Sequence, residues 1–367
     1  MRKIHLFTLL QLVACAVLLL CLPLLGACAQ PVPAETINLT YSNFFPPTNL
    51  NSILAEQFCA EIKERTNGGV EITYYPGGTL TPAAGVYDGV VNGISDIGMS
   101  CFAYTMGRFP ASELVDLPHA YPNGWVATKV ANDFYKEFKP AELDDVHVLY
   151  LHAHGPGVVF TTKNPVNKLE DLQGLQIRGT GVGVKIMDTL GAKGVGKPQG
   201  EAYELMSKGT VDGSFAPLEV LKGWKQAEVV NYVTNCYAVG NTTDMFVVIN
   251  KAKWDSLPSD IQKVFTEVSQ EWIDKHAKAW TYSDKAGVDF FLTFDGRELI
   301  QLPQDEMARW VEAAQPLIEQ YVTEKTAKGL PAADYEEYIA KRVKYWSDRS
   351  PSEESCVEWA EKELLSK

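Results

Sequence analysis

Two hydrophobic periods alternate along this chain, and that alternation constrains its fold more than any other feature. Ile37 to Ser42 alternates apolar and polar residues as a half-buried strand does. Phe44-Phe45-Pro46-Pro47 breaks the pattern. Asn51 to Arg65 then sets Ile53, Leu54, Phe58 and Ile62 at helical spacing, and Thr66-Asn67-Gly68-Gly69 stops the helix. Val70 to Tyr75 reads as a second strand, Tyr87 to Ile94 as a short helix and Asp96 to Cys101 as a third strand. A β-α-β-α-β order implies parallel strands with helices on the faces of the sheet. Val146 to Leu151 is a further strand. A second block follows with strands at Val158 to Thr162, Leu175 to Ile177 and Val211 to Ala216, then Phe246 to Ile249. From Ser259 onward the pattern is mostly helical. Asp260 to about Phe290 holds no proline and predicts one helix long enough to span two lobes. Arg309 to Lys325 and Tyr335 to Trp346 read as amphipathic helices.

Residues 1–27 read as a leader. Arg2 and Lys3 precede an apolar run from Leu6 to Leu25, and no acid occurs before Glu35. Leu25-Gly26-Ala27-Cys28 resembles a bacterial lipobox, which makes Cys28 the expected lipid attachment point of a periplasmic, membrane-tethered protein. The remaining length suits two lobes rather than one core. The formal net charge of −13 argues against nucleic-acid binding, which needs a basic footprint. Cys59, Cys101, Cys236 and Cys356 match no metal spacing. Four cysteines allow three pairings and the sequence selects none, so buried free thiols are expected while an exported location permits a disulfide.

Arg178 ends the short apolar strand Leu175–Ile177, just before Gly179-Thr180-Gly181-Val182-Gly183. A strand-end arginine in an α/β fold points into the crevice where such folds bind ligands. Its planar fork suits a carboxylate. Gly191 to Pro198 comes within one residue of a P-loop, but Pro198 stands where the magnesium-binding hydroxyl belongs. His152 and His154 share a strand face without a third metal ligand in view. No nucleophile elbow, His-Glu-x-x-His or paired carboxylates indicate an enzyme, and no cofactor or metal is expected.

Six segments in order resemble the solute-binding subunits of TRAP transporters (tripartite ATP-independent periplasmic transporters) of the DctP type. They are Phe58–Pro82, Val90–Met99, Phe109–Pro118, Asp171–Arg178, Glu201–Gly213 and Asn250–Gln262. The resemblance implies a two-lobed periplasmic-binding-protein fold, each lobe a mixed sheet flanked by helices. It places lobe I at residues 35–153 plus about 244–283, lobe II at about 154–243 plus about 284–310, and C-terminal helices at 311–367. It implies a non-catalytic receptor that captures a small organic acid and delivers it to a membrane permease. Arg178 takes the position of the family's carboxylate-binding arginine. Asn43, Phe45, Tyr104, Thr180, Gln199, Phe215, Asn241 and His154 are the other expected ligand contacts.

The chain also departs from its relatives. Val158 or Val159 stands where many carry a second arginine, Ser214-Phe215-Ala216 replaces a common Gln-Glu-Asn, and Gly181 replaces the asparagine of sialic-acid-type relatives. A dicarboxylate or polyhydroxylated ligand would leave polar groups unpaired in such a site. Phe44, Phe45, Tyr104 and Phe215 favour a more apolar monocarboxylate, aromatic acids included.

Overall fold

A computed structural model describes residues 36–365; the leader and Cys28 lie outside the described residues. Two mixed sheets form the frame. In the first lobe β1 (Ile37–Asn43), β2 (Val70–Tyr75), β3 (Ile97–Cys101), β4 (Val146–Ala153) and β10 (Asp244–Asn250) lie in the order β2-β1-β3-β10-β4. β1 pairs in parallel with β2 and β3, as the β-α-β order predicts. β10 instead enters antiparallel between β3 and β4, because it arrives from the other lobe rather than through a crossover helix. The second lobe orders β11 (Glu298–Gln301), β9 (Tyr232–Asn235), β5 (Val158–Thr161), β8 (Gly213–Ala216), β6 (Gln176–Gly179) and β7 (Lys193–Gly196) as β11-β9-β5-β8-β6-β7.

Helix α1 (Leu50–Arg65) starts where the Asn49 side chain accepts from the Asn51 N–H, and it stops at Thr66. α2 (Val86–Val91) is shorter than its pattern predicts. Sequence periodicity misses α3 (Gly124–Phe138), which Asn123 caps by accepting from the Val126 N–H. It also misses strands β7, β9 and β11. The P-loop-like stretch is in fact β7, paired in parallel with β6. The second lobe adds α4 (Val182–Thr189), α5 (Ala202–Ser207) and α6 (Val220–Gly223).

After α7 (Lys251–Ser256), the long α8 runs from Ser259 to Phe291. It packs on both lobes. Trp272 lies edge-on to Phe58 at 5.5 Å and donates to the Leu54 carbonyl at 2.8 Å. Trp280 donates to His152 Nδ1 at 3.0 Å. Further along, α8 comes so close to the second lobe that a Cβ on Gly287 would lie 2.2 Å from the Leu218 carbonyl oxygen. Two crossings also join the lobes, 154–157 and 236–243, the second with a helical turn at Tyr237–Val239. They run side by side: the Gly157 N–H donates to the Asn241 carbonyl at 2.9 Å and the Thr242 hydroxyl to the His154 carbonyl at 2.5 Å.

α9 (Gln304–Ala327) lies on the second lobe, where Glu306 accepts from the Leu169 N–H at 2.7 Å. α10 (Ala332–Ser347) returns to the first, with Tyr335 edge-on to Phe134 of α3 at 5.1 Å. α11 (Glu353–Glu363) packs along α8. The four described cysteines, Cys59, Cys101, Cys236 and Cys356, are buried and free. Among the described residues no helix is long and apolar enough to cross a membrane.

Candidate functional site

β6 lies between β7 and β8 and is parallel to both, so its carboxyl end points at the crevice between the lobes. Arg178 stands there, only 1% exposed. Its Nε donates to the Lys197 carbonyl at 2.9 Å, Nη1 to Gln199 Oε1 at 2.6 Å and Nη2 to Thr180 Oγ1 at 2.5 Å. Three of five N–H groups are thereby used, leaving one on each terminal nitrogen. Among the described residues no carboxylate lies within ion-pair distance. Glu201, whose charge acts on Arg178, pairs with Lys197 at 3.5 Å. Burial accordingly pushes the guanidinium pKa down.

Arg178 lines a cavity between the two sheets. Thr180, Gln199, Tyr104, Phe45, Phe215, Asn241 and His154 line it as well. Asn43 is the exception and corrects the expectation. Its Oδ1 accepts from the Phe45 N–H at 3.0 Å and its Nδ2 donates to Tyr74 at 2.7 Å, so it shapes the loop that presents Phe44 and Phe45 without reaching the cavity. The turn around Gly181 makes no cavity wall beyond Thr180.

A run of rings forms the apolar wall. Phe44 meets Tyr104 edge-on at 5.4 Å, Phe45 at 4.2 Å and Trp224 at 6.1 Å, and Phe45 reaches Trp280 at 6.1 Å. Phe44, Phe45 and Tyr104 come from the first lobe, Trp224 from the second and Trp280 from α8. Trp224 and Trp280 were not found from sequence. Trp280 lies on the apolar stripe of a long helix, and nothing in its spacing separates a cavity wall from a core contact.

Polar groups complete the site. The Gln199 N–H donates to the Tyr104 hydroxyl at 3.2 Å across the lobes, and the Gln199 Nε2 is a buried donor without a partner among the described residues. His154 Nδ1 lies 2.5 Å from the Gly155 carbonyl, which fixes Nδ1 as the protonated nitrogen and leaves Nε2 as an acceptor. Burial, with Arg178 nearby, holds its pKa down at about 4, so the ring is neutral. His152 does not share the cavity: it stacks on His276 at 4.4 Å inside the first lobe. Glu219 lines the cavity too, another residue that the sequence did not single out.

Two α/β lobes joined by crossing segments and a shared helix, with a buried cation facing the crevice, define a class: the extracytoplasmic solute receptors. Within it, the chain belongs to bacterial extracellular solute-binding protein family 7, DctP, whose model matches residues 41–325. It is a TRAP-type periplasmic solute-binding protein, a transport receptor rather than an enzyme.

The chain is similar to a TRAP periplasmic solute-binding protein from Desulfovibrio salexigens, at 30% identity and a TM-score of 0.76 over 86% of this chain and 98% of that one. That structure was solved with the C-terminus of a symmetry mate in its ligand-binding site. It is similar at 27% identity, with a TM-score of 0.78 over 84% of this chain and 99% of that one, to a TRAP solute-binding protein from Bordetella bronchiseptica with bound (R)- and (S)-mandelate. The 2,3-diketo-L-gulonate-binding periplasmic protein YiaO of Escherichia coli is 28% identical over 61% of this chain and 69% of its own length.

Proposed function

We propose that this receptor captures a small monocarboxylate, aromatic acids included, through Arg178 and delivers it to TRAP membrane permease subunits. The observation that carries the reading is a guanidinium 1% exposed, held by three neutral acceptors and with no carboxylate partner among the described residues. Burying an unpaired cation costs several kcal/mol, which a ligand carboxylate would offset with two parallel charge-assisted bonds. The Gln199 Nε2 supplies a further donor beside it. The ring-lined wall suits an apolar body behind the carboxylate. The three similar proteins support the carboxylate: a chain terminus, mandelate and a diketo-gulonate each carry one.

In this reading lobe I (35–153 and about 244–283) and lobe II (about 154–243 and about 284–310) close as units. The paired crossings and α8 act as the hinge, and the helices of 311–367 brace it. The leader of residues 1–27 directs export, and Cys28 carries the lipid that holds the receptor at the membrane.

A calorimetric screen of aliphatic and aromatic monocarboxylates against dicarboxylates tests the proposal. Saturable binding of a monocarboxylate, lost in Arg178→Ala, is the expected result. A preference for dicarboxylates, or unchanged affinity in the variant, would overturn it.

A further inference from the structure

The cavity holds a second buried ionisable group that the carboxylate clamp does not use. Glu219 is 3% exposed and lines the same cavity as Arg178. Its position is set from three elements. Asn49, at the start of α1 in the first lobe, donates to its Oε1 at 2.7 Å. Asp284 of α8 accepts its backbone N–H at 2.9 Å. Gly223 of α6 has no side chain because a Cβ there would meet Oε1 at 1.8 Å. The second oxygen, Oε2, has no hydrogen-bond partner among the described residues.

The wall of rings orders the two ionisable groups in space. From Arg178 the contacts pass through Gln199 to Tyr104, then to Phe44 and on to Trp224, which directly follows α6. Glu219 directly precedes α6.

A carboxyl group taken out of water without a cation stays protonated. Among the described residues Glu219 makes no ion pair. Lys222 and Lys225 share an outer pocket with it, Asp284 adds a like charge from α8, and Arg178, His154, Tyr104 and Cys101 are the other ionisable residues of the cavity wall. Burial, reinforced by Asp284 and opposed by the Asn49 bond, pushes the Glu219 pKa up to about 8. Asn49 donates to Oε1, so Oε1 is the carbonyl-like oxygen and the proton belongs on Oε2. The group is an O–H donor, and Asn49 is the one hydrogen-bond partner of its carboxyl among the described residues.

Resting on the monocarboxylate reading, we infer that Glu219 is the second anchor of the site: as a neutral acid it donates to an uncharged oxygen, hydroxyl or carbonyl, at the end of the ligand remote from the carboxylate. The receptor therefore selects oxygenated acids over their unsubstituted parents. Because Asn49 reaches Glu219 across the lobes, the same contact ties recognition to closure. Ionisation of Glu219 adds a second negative charge to a site built for an anion, so binding weakens as the pH rises through its pKa.

Calorimetry tests this with benzoate, 3-hydroxybenzoate, 4-hydroxybenzoate, 3-hydroxyphenylacetate and terephthalate. The wild type is expected to bind the best hydroxylated acid about tenfold or more tightly than benzoate, and terephthalate more weakly than either. Glu219→Leu lowers the hydroxylated-to-parent ratio by about tenfold. From neutral to about pH 9 the wild type loses affinity for the hydroxylated acid, while Glu219→Gln, which keeps an N–H donor but cannot ionise, does not. An unchanged ratio in Glu219→Leu, identical pH profiles for wild type and Glu219→Gln, or preference for terephthalate overturns the inference. Failure of the wild type to bind any of the five acids overturns the inference, and failure to bind aliphatic monocarboxylates as well overturns the monocarboxylate reading itself.

Discussion

Arg178 Nη1 donates to Gln199 Oε1 at 2.6 Å, and the Gln199 N–H in turn donates to the Tyr104 hydroxyl at 3.2 Å. The buried cation of one lobe is thus linked through a single glutamine to a tyrosine of the other. The link orients the guanidinium without neutralising it. An arginine whose partners are a carbonyl, an amide and a hydroxyl keeps its full charge for a ligand, and the ligand-free protein carries the desolvation cost.

That cost makes function and stability separable. Arg178→Met removes the cation and keeps most of the packed stem. It is expected to abolish carboxylate binding in calorimetry while raising the ligand-free protein's unfolding free energy by about 1–3 kcal/mol. Loss of binding together with loss of stability would show that the arginine is a structural strut.

Closure can be probed where the lobes nearly touch. Gly181 has φ +52°, and a Cβ there would lie 2.7 Å from Ala103 Cβ in the first lobe. Gly181→Val adds both backbone strain and bulk at that contact. Scattering of the ligand-bound variant is expected to show a more open shape than wild type, with affinity weaker by about tenfold or more.

The pH dependence of stability should have two limbs. Glu219 and Asp284 are raised by burial from 4.5 to about 8 and from 3.8 to about 7. Over that range the native state holds protons the unfolded chain has released, so stability falls as the pH rises through it. His154 and His276 are lowered by burial from 6.5 to about 4 and about 3. Below pH 6.5 the unfolded chain takes up protons that the native state refuses, and stability falls as the pH drops. Denaturant midpoints measured across the range should show that Glu219→Gln flattens the alkaline limb, with a gain of about 2–4 kcal/mol above its pKa. His276→Gln should flatten the acid limb.

The lipid anchor is tested by Cys28→Ser. Export of the variant should continue if a general signal peptidase accepts it, with the protein released from the membrane fraction and unlabelled by a clickable fatty acid. Labelling that persists in Cys28→Ser would place the lipid elsewhere or remove it from the account.

Much of the frame was legible from the order of residues alone. Alternation at Ile37–Ser42 and Val70–Tyr75 and the uninterrupted helical run before Phe291 carry periods that short-range sterics impose, so β1, β2 and α8 could be found. Arg178 stood out for a related reason: a cation at a strand end before a glycine turn is a local arrangement. β7 (Lys-Gly-Val-Gly) and β9 (Tyr-Val-Thr-Asn) carry no continuous apolar run and exist through their neighbours.

The rest of the site is non-local. Nothing in its chain neighbours singles out Glu219. It becomes a buried neutral acid because Asn49, a hundred and seventy positions away, and Asp284 on α8 close over it. Trp224 and Trp280 line a cavity because two lobes and a shared helix meet there. Local periodicity and the position of one arginine were determined by the sequence itself, since they depend on near neighbours. Which carboxyl is desolvated, which rings face a ligand and which residue shares the cavity with Arg178 were decided only by tertiary packing, because burial depends on surfaces that chain order does not bring together.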